Sequence, residues 1–430
     1  MIACKMLWGN TKKGLAEYKK LYNFAPFNST MNFSGTSLSK VRPFVRQIAI
    51  IHVIALVFLS SCVERYYPND LYLMAGQLVI NAHITNIPGT QTVEISRSAH
   101  PEIPSFNPES GCFVLLLRED GESHEFTISD NPGFYTADLD SSFLRTGMLF
   151  QLQVITSDGN EYHSDFDEIR PVPAIDAVHY KIEEMMYTGE DEAVPGIRFY
   201  VDFTYDDESY EYIRWELTET YEFHNPDMEA YVYYNRWTLR DLVGEDNPRT
   251  CYITKALPAI HSLSTKELDF GSFSKAFDFV PNDQMEQKLL FKYSLLVRQY
   301  SVGAEGFHYW NEIGQNIQSQ GALFDKQPPL LQSNICNIAD ESEKVLGFFT
   351  MSAMQEIRAF AEDIPGFENS INPYYCLPVD SGPGSNRPTT YPSYFARATY
   401  DGATVYARVN KHCVDCREYK GSTAIKPDFW

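Results

Sequence analysis

The chain has 430 residues, with 35 Lys and Arg against 57 Asp and Glu, which gives a net charge of −22. A chain this acidic would be repelled by nucleic acid and by anionic membrane surfaces, which excludes binding to either through charge. Its 28 Tyr and 28 Phe favour β-strands. Its length corresponds to roughly two or three domains.

Residues 1–61 have the organisation of an export signal. Three basic residues between positions 40 and 46 precede an apolar run over 48–59, and the run ends in Leu59-Ser60-Ser61-Cys62. A basic flank, an apolar core and small residues at a cleavage site, in that order, are typical of a secretory signal. The run has about a dozen residues, fewer than the ~20 that a membrane span needs.

The end of this segment predicts that Cys62 is the lipidated residue of a bacterial lipoprotein. Leucine, two small residues and cysteine form a lipobox, and cleavage before Cys62 would leave its thiol to receive the lipid. Two or three acyl chains anchor a protein stably, and residues 62–72 would then be anchor and tether. The alternative, a buried helix ending in cysteine, does not explain the basic flank. The residues before Met31 fit no part of a signal, so Met31 is an alternative start.

Residues 73–172 are predicted to form an N-terminal β-sandwich. Apolar and polar residues alternate in short segments with turn residues such as Asn131-Pro132-Gly133 between them, which is typical of sandwich strands. The predicted strands include 77–84, 92–96, 112–117, 125–128 and 149–155.

Residues 173–430 are predicted to form a second β-sandwich domain with an insertion around 221–280. Helical spacing places Phe307, Trp310, Ile313 and Ile317 on one face, and residues 352–360 are a second, shorter helix candidate. A cysteine-rich tail ends the chain. The predicted fold class is mainly β, with two immunoglobulin-like or transthyretin-like β-sandwiches and a small helical segment in the C-terminal third.

Six cysteines follow Cys62, and an exported protein meets an oxidising compartment, so disulfides are expected. The sequence leaves the connectivity open. The candidates for disulfide bonds are Cys251, Cys376, Cys413 and Cys416. Metal binding by the Cys413-Val414-Asp415-Cys416 segment would require two more soft ligands, and a thioredoxin-like role would require a helix start there.

The sequence contains no catalytic motif of the common kinds: no Gly-x-Ser-x-Gly, no His-Glu-x-x-His, no phosphate loop and no dinucleotide glycine pattern. We therefore predict no catalytic residue, no metal site and no cofactor. The acidic clusters at 190–192 and 206–208 are interpreted as solvated turns, with calcium binding as the alternative. The candidate ligand contacts are the aromatic residues Tyr231, Tyr233, Tyr234 and Trp237, with cross-strand packing as the alternative.

Several segments, taken in order along the mature chain, carry a family resemblance. They are the lipobox with Cys62, 77–86 (QLVINAHITN), 133–135 (GFY), 157–162 (SDGNEY), 171–176 (PVPAID), 309–310 (YW), 333–337 (SNICN), 345–349 (VLGFF), and the ending from 413–416 (CVDC) to 427–430 (PDFW). With these, the chain resembles the domain of unknown function 4249 family of Bacteroidota lipoproteins.

The resemblance implies an outer-membrane lipoprotein, often encoded beside a TonB-dependent transporter, without established activity or catalytic residues. We therefore expect a non-catalytic binding or accessory component of a TonB-dependent nutrient uptake system, with the transporter as partner. A structural or adhesive cell-surface protein is the alternative, and an unrecognised hydrolase is the third. Cys112 and Cys336 stand where the family more usually has other residues, so they either pair or stay free. Val63-Glu64-Arg65 leaves open whether the protein faces the cell surface or the periplasm, and the ligand and oligomeric state are open too.

Overall fold

The computed structural model describes residues 76–100, 103–187, 192–225, 229–242, 248–283, 286–319, 331–367, 390–400 and 403–430. The export signal, Cys62 and the tether lie outside these ranges. Residues from Asn69 to Trp430 belong to one compact unit. The described chain consists mostly of strands, which confirms the prediction of a mainly β fold.

The described ranges contain one α-helix, α1 (Ala304–Ser319), and two short 3-10 turns, Lys411–Cys413 and Cys416–Glu418. The strands in chain order are β1 Leu78–Thr85, β2 Gly89–Arg97, β3 Asn107–Pro108, β4 Phe113–Arg118, β5 Ser123–Ile128, β6 Phe134–Leu139, β7 Leu149–Ile155, β8 Glu161–Ser164, β9 Asp167–Glu168, β10 Ile175–Met185, β11 Val194–Tyr205, β12 Tyr212–His224, β13 Ala230–Tyr233, β14 Leu239–Leu242, β15 Thr250–Ala256, β16 His261–Ser264, β17 Gly271–Pro281, β18 Lys292–Ser301, β19 Ile335–Asn337, β20 Phe349–Ser352, β21 Met354–Glu362, β22 Ser393–Tyr400, β23 Ala403–Val409 and β24 Ser422–Thr423.

An 11-stranded sheet forms the N-terminal part, in the order β19-β8-β7-β4-β5-β6-β2-β1-β20, with β3 on β2 and β9 on β7. Strand alternation places Leu78 and Ile80 of β1 in the interior, in the same buried cluster as Phe126 of β5 and Phe150 of β7, which are distant from β1 in the sheet order. Because distant strands share one core, the sheet must curl around it. Its hydrogen bonding is continuous, so the immunoglobulin-like or transthyretin-like sandwich type stays a prediction.

Strands from the C-terminal third complete this first sheet. β19 pairs antiparallel with β8, and β20 pairs parallel with β1, with Ala82 opposite Phe349. The predicted domain boundary at residue 172 therefore does not separate every strand of the first sheet from the later chain.

Of the two predicted helices, one is present in the structure, and the prediction of the other is wrong. α1 contains the residues 307–317 that were predicted to be helical. Residues 352–360, predicted to be helical, instead lie mostly in β21, which pairs in continuous register with β18 from Lys292↔Glu362 to Tyr300↔Met354. Intrinsic helix propensities differ by less than about 1 kcal/mol per residue, so a neighbouring strand with free hydrogen-bonding groups overrides them.

Two further sheets, β10-β11-β17 and β21-β18-β12-β15-β24 with β16 on β12, share a second core. The fully buried Trp215 lies in this core, with its ring 5.9 Å from that of Phe203 across the two sheets. The predicted insertion at 221–280 contributes β15 and β17 to these sheets, so most of it belongs to the second core.

A fourth sheet, β14-β13-β22-β23, includes β13 and β14 from the same segment. Its small core contains Val232, Leu242, Ala396 and Val409.

Candidate functional site

The hairpin β13–β14 presents aromatic side chains to solvent at its tip. Trp237 is 75% exposed, and Tyr234 and Leu239 are exposed beside it. The Asn235 side-chain oxygen accepts hydrogen bonds from the backbone N–H groups of Trp237 and Thr238, both at 2.9 Å. This Asx-type turn fixes the tip, so the exposed rings are held on an ordered backbone.

Positive charge accompanies the rings at this tip. The Arg236 guanidinium lies 5.1 Å from the centre of the Trp237 ring, within cation–π distance. The tip therefore combines large apolar area with a cation on a chain that is strongly acidic overall.

Of the four aromatic residues predicted to contact a ligand, two are exposed at this tip and two are not. Tyr231 and Tyr233 are only partly exposed, on the strand itself, and the Tyr233 ring packs edge-on against Phe395 at 5.4 Å. Sequence reasoning missed Arg236 and Leu239. Asn235 could have identified them, because a turn residue between two strands indicates a hairpin, and the residues that flank it then lie together at the hairpin tip.

A second group of functional interest is a polar cluster where the first sheet meets the second core. Arg214 of β12, with a side chain 3% exposed, is 2.8 Å from Glu216. Its other terminal nitrogen is 3.2 Å from Nδ1 of His83 on β1. The guanidinium also lies 4.3 Å from the Trp310 ring of α1 and 5.0 Å from the Tyr300 ring of β18.

The partners of His83 define its protonation. Because a guanidinium only donates, Nδ1 must accept from Arg214, and the ring proton is on Nε2, which lies 3.1 Å from Ser352 Oγ. Burial and the Arg214 charge together lower the pKa of His83 to about 3, although Glu216 opposes them. His83 is therefore neutral at neutral pH.

The acidic member of the cluster is Glu216. Burial alone would raise its pKa, but the Arg214 charge and the Tyr300 hydroxyl, which donates at 2.9 Å, lower it. Every charge in the cluster thus has a partner within it. We interpret the cluster as a structural connection between the two cores.

Glu219 is the other carboxylate of β12 that lies among cations. It lies 3.1 Å from Lys255 and 3.2 Å from Lys288, and Tyr293 donates to it at 2.8 Å. Since successive side chains of a strand alternate between faces, Glu216 and Glu219 point to opposite sides of the sheet. They cannot act together on one substrate as an acid–base pair. Nowhere in the described ranges do three or more His, Cys, Asp or Glu side chains group so as to hold a metal ion.

The described cysteines are divided between disulfides and free thiols. Cys251 of β15 is bonded to Cys416, which supports the prediction of disulfide bonding, and Cys413 is disulfide-bonded as well. Cys112 and Cys336 are free, and burial raises the pKa of the Cys112 thiol. Cys376 lies outside the described residues.

Cys62, the predicted lipidation site, also lies outside the described ranges. Within those ranges, helix length and apolar character together fall short of what a membrane span requires.

Two solved structures to which the chain is similar are distant from it in sequence. A trypsin-activated alpha-2-macroglobulin from Escherichia coli is 14% identical over 54% of this chain and 15% of its own, with a TM-score of 0.17. A DUF4785 family protein from Legionella pneumophila is 13% identical over 52% of this chain and 51% of its own, with a TM-score of 0.16. This chain thus spans about half or less of these two proteins. TM-scores this low support no conclusion about fold or function.

No curated protein matches the chain. Residues 65–358, well over half of the chain, match the family described as Domain of unknown function (DUF4249). The match covers the first sheet, most of the second core, and the hairpin with its exposed aromatic tip. On the extent of this match, the chain belongs to the DUF4249 family.

Proposed function

We propose that this protein is a lipid-anchored outer-membrane protein that serves as a non-catalytic accessory component of a TonB-dependent nutrient uptake system. The observation that carries the proposal is the exposed aromatic tip of the β13–β14 hairpin, formed by Tyr234, Arg236, Trp237 and Leu239. We propose that this tip contacts the transporter.

The composition of the tip suits a protein contact. Tryptophan, tyrosine and arginine dominate the binding energy of protein interfaces when they enter a partner's pocket. The Asn235 side chain already orders the turn, so binding would immobilise little additional backbone. A tip with these side chains on an ordered backbone is suited to binding another protein.

Charge favours contact through the tip over contact through the rest of the surface. Residues 62–430 carry 27 basic and 56 acidic residues, and such a surface would be repelled by an acidic partner. Arg236 gives the tip a local positive charge beside Trp237. The tip can therefore approach an acidic or neutral face of a transporter that the bulk of the protein would avoid.

The lipid anchor predicted at Cys62 supports a partner in the membrane. Anchoring confines the protein near integral membrane proteins and raises its effective concentration toward them. The family resemblance points to transporter neighbours as well. Together they favour a transporter over a soluble partner.

Native co-purification from mild detergent, followed by mass spectrometry, tests the contact. The tagged protein should recover a transporter, and the double variant Tyr234→Ala with Trp237→Ala should recover at least tenfold less. Phe270→Ala is the matched control, because Phe270 is 60% exposed and lies outside the hairpin. Recovery of the lipoprotein alone, with nutrient uptake unchanged after its deletion, would count against the accessory role. Loss of surface attachment in that deletion strain would favour the adhesive alternative instead.

The anchor is tested separately with Cys62→Ala. The parent protein should carry the mass of attached acyl chains and fractionate with the outer membrane, and the variant should lack both properties. A parent protein without acyl mass that is already released from the membrane would exclude the anchor.

A further inference from the structure

A cavity of about 160 Å³ lies between the two sheets of the second core. Its walls are mostly apolar and include aromatic rings from both sheets, Phe199 and Phe277 from one and Tyr293 from the other. Ala259, in the turn between β15 and β16, also lines it. A cavity of roughly 150 Å³ with apolar walls holds one benzene ring, so this space matches a single ring in size.

One end of the cavity is polar. Glu219, which is 1% exposed, lines it together with Lys288. The two ammonium groups of Lys255 and Lys288 lie 3.1 and 3.2 Å from its Oε1, and Glu286 lies 3.2 Å from Lys288. The two ammonium groups neutralise the Glu219 carboxylate. Asp278, which also lines the cavity, lies 3.4 Å from His261 and has a side chain that is 62% exposed.

The buried carboxylate keeps the capacity to accept one more hydrogen bond. Oε2 accepts from the Tyr293 hydroxyl at 2.8 Å. The ammonium groups of Lys255 and Lys288 donate to Oε1 at 3.1 and 3.2 Å. A carboxylate has about four lone-pair sites, and these three donors occupy three of them, so one lone pair of the buried carboxylate stays open. A ligand with one hydroxyl group would satisfy it.

We infer that this cavity binds a small uncharged aromatic alcohol of the phenol class, with its ring between Phe199 and Phe277 and its hydroxyl donating to Glu219. Aromatic walls favour an aromatic ring, because edge-to-face contacts add to the area that is buried. The inference does not depend on the hairpin contact with a transporter. It makes the protein a carrier or sensor of single-ring compounds.

The experiment is calorimetric titration of the full-length protein with phenol, benzene and benzoate. We expect phenol to bind about tenfold more tightly than benzene, which is the worth of a hydrogen bond to a charged acceptor. Benzoate should bind at least tenfold more weakly than phenol, because its carboxylate would face Glu219. Absence of phenol binding up to about 10 mM, or equal binding of benzoate, would overturn the inference.

Variants locate the site. Ala259→Leu adds three carbon atoms to the cavity wall and should lower phenol affinity at least tenfold. Ala256→Leu is the matched control, because Ala256 is exposed at the end of β15 and does not line the cavity. Tyr293→Phe should retain phenol binding, since it frees Oε2 as a second acceptor. Equal phenol affinity in Ala259→Leu and Ala256→Leu, with both variants folded by circular dichroism, would place the binding elsewhere and refute the site.

Discussion

Replacing His83 with glutamine should remove a defined part of the protein's acid sensitivity. In the folded state burial and the Arg214 charge lower the pKa of His83 from its ordinary value of 6.5 to about 3, because both disfavour the charged form. Between these two values the unfolded chain binds a proton that the folded chain does not, so the free energy of unfolding falls as pH falls. Through this proton linkage, His83 alone lowers the free energy of unfolding by about 2 kcal/mol between pH 7 and pH 5.

Glutamine can accept a hydrogen bond from Arg214 and donate one to Ser352, but it does not titrate in this range. Urea unfolding of both proteins at pH 7, 6 and 5 gives the comparison. Over this interval the free energy of unfolding of the parent protein should fall by about 2 kcal/mol more than that of His83→Gln, and most of the difference should appear below pH 6. Parallel pH dependence in the two proteins would refute the neutral, buried state of His83.

Three other changes test particular contacts. The Cys251–Cys416 disulfide joins residues with a sequence separation of 165. Replacing both cysteines with alanine should lower the free energy of unfolding, measured in urea, by about 3–5 kcal/mol. A change under about 1 kcal/mol would contradict a stabilising bond. Gly347→Ala should be severely destabilising, because its Cβ would lie 2.1 Å from the Ile80 carbonyl oxygen at a φ of +88°. Gly366→Ala, at a φ of +85° in open space, should cost only about 1–2 kcal/mol in thermal unfolding, and equal losses in the two glycine variants would deny the close approach.

The strands of the first sheet were predictable where alternation was strong. The predicted strand at 149–155 coincides with β7, and the one at 77–84 differs from β1 by one residue at each end. In both, every second side chain is buried, and that periodicity is a local property of the sequence. Ligand contact by Tyr231, Tyr233, Tyr234 and Trp237 stays a prediction; the structure shows only that Tyr234 and Trp237 are exposed at one hairpin tip.

Non-local pairings were not predictable. β20 pairs with β1 across about two-thirds of the chain, and no short-range pattern encodes that partnership. Residues 354–362 were predicted partly as helix because the hydrogen-bonding edge of β18, which makes them a strand, lies far away in sequence. The cluster of His83 and Arg214 was missed for the same reason, since its members become neighbours only when the two cores meet.

Residues 73–172 do not supply every strand of the first sheet, and the junction between the two cores shows where the other strands enter it. The chain leaves the first sheet as β20 and enters the second core as β21, with only the buried Ala353 between them. Ser301 of β18 binds this residue twice, through its N–H to the Ala353 carbonyl at 3.0 Å and through its hydroxyl, which accepts from the Ala353 N–H at 2.9 Å.

The same Ser301 hydroxyl donates to the carbonyl of Arg170 at 2.6 Å, just after the last strand that the predicted N-terminal domain contributes. A chain that stopped at residue 172 would therefore lose β20 from β1 and β19 from β8, and both strands would expose unpaired edges. Strands from both halves of the chain therefore complete the first sheet, and the His83–Arg214 contact, at 3.2 Å, joins that sheet to the second core.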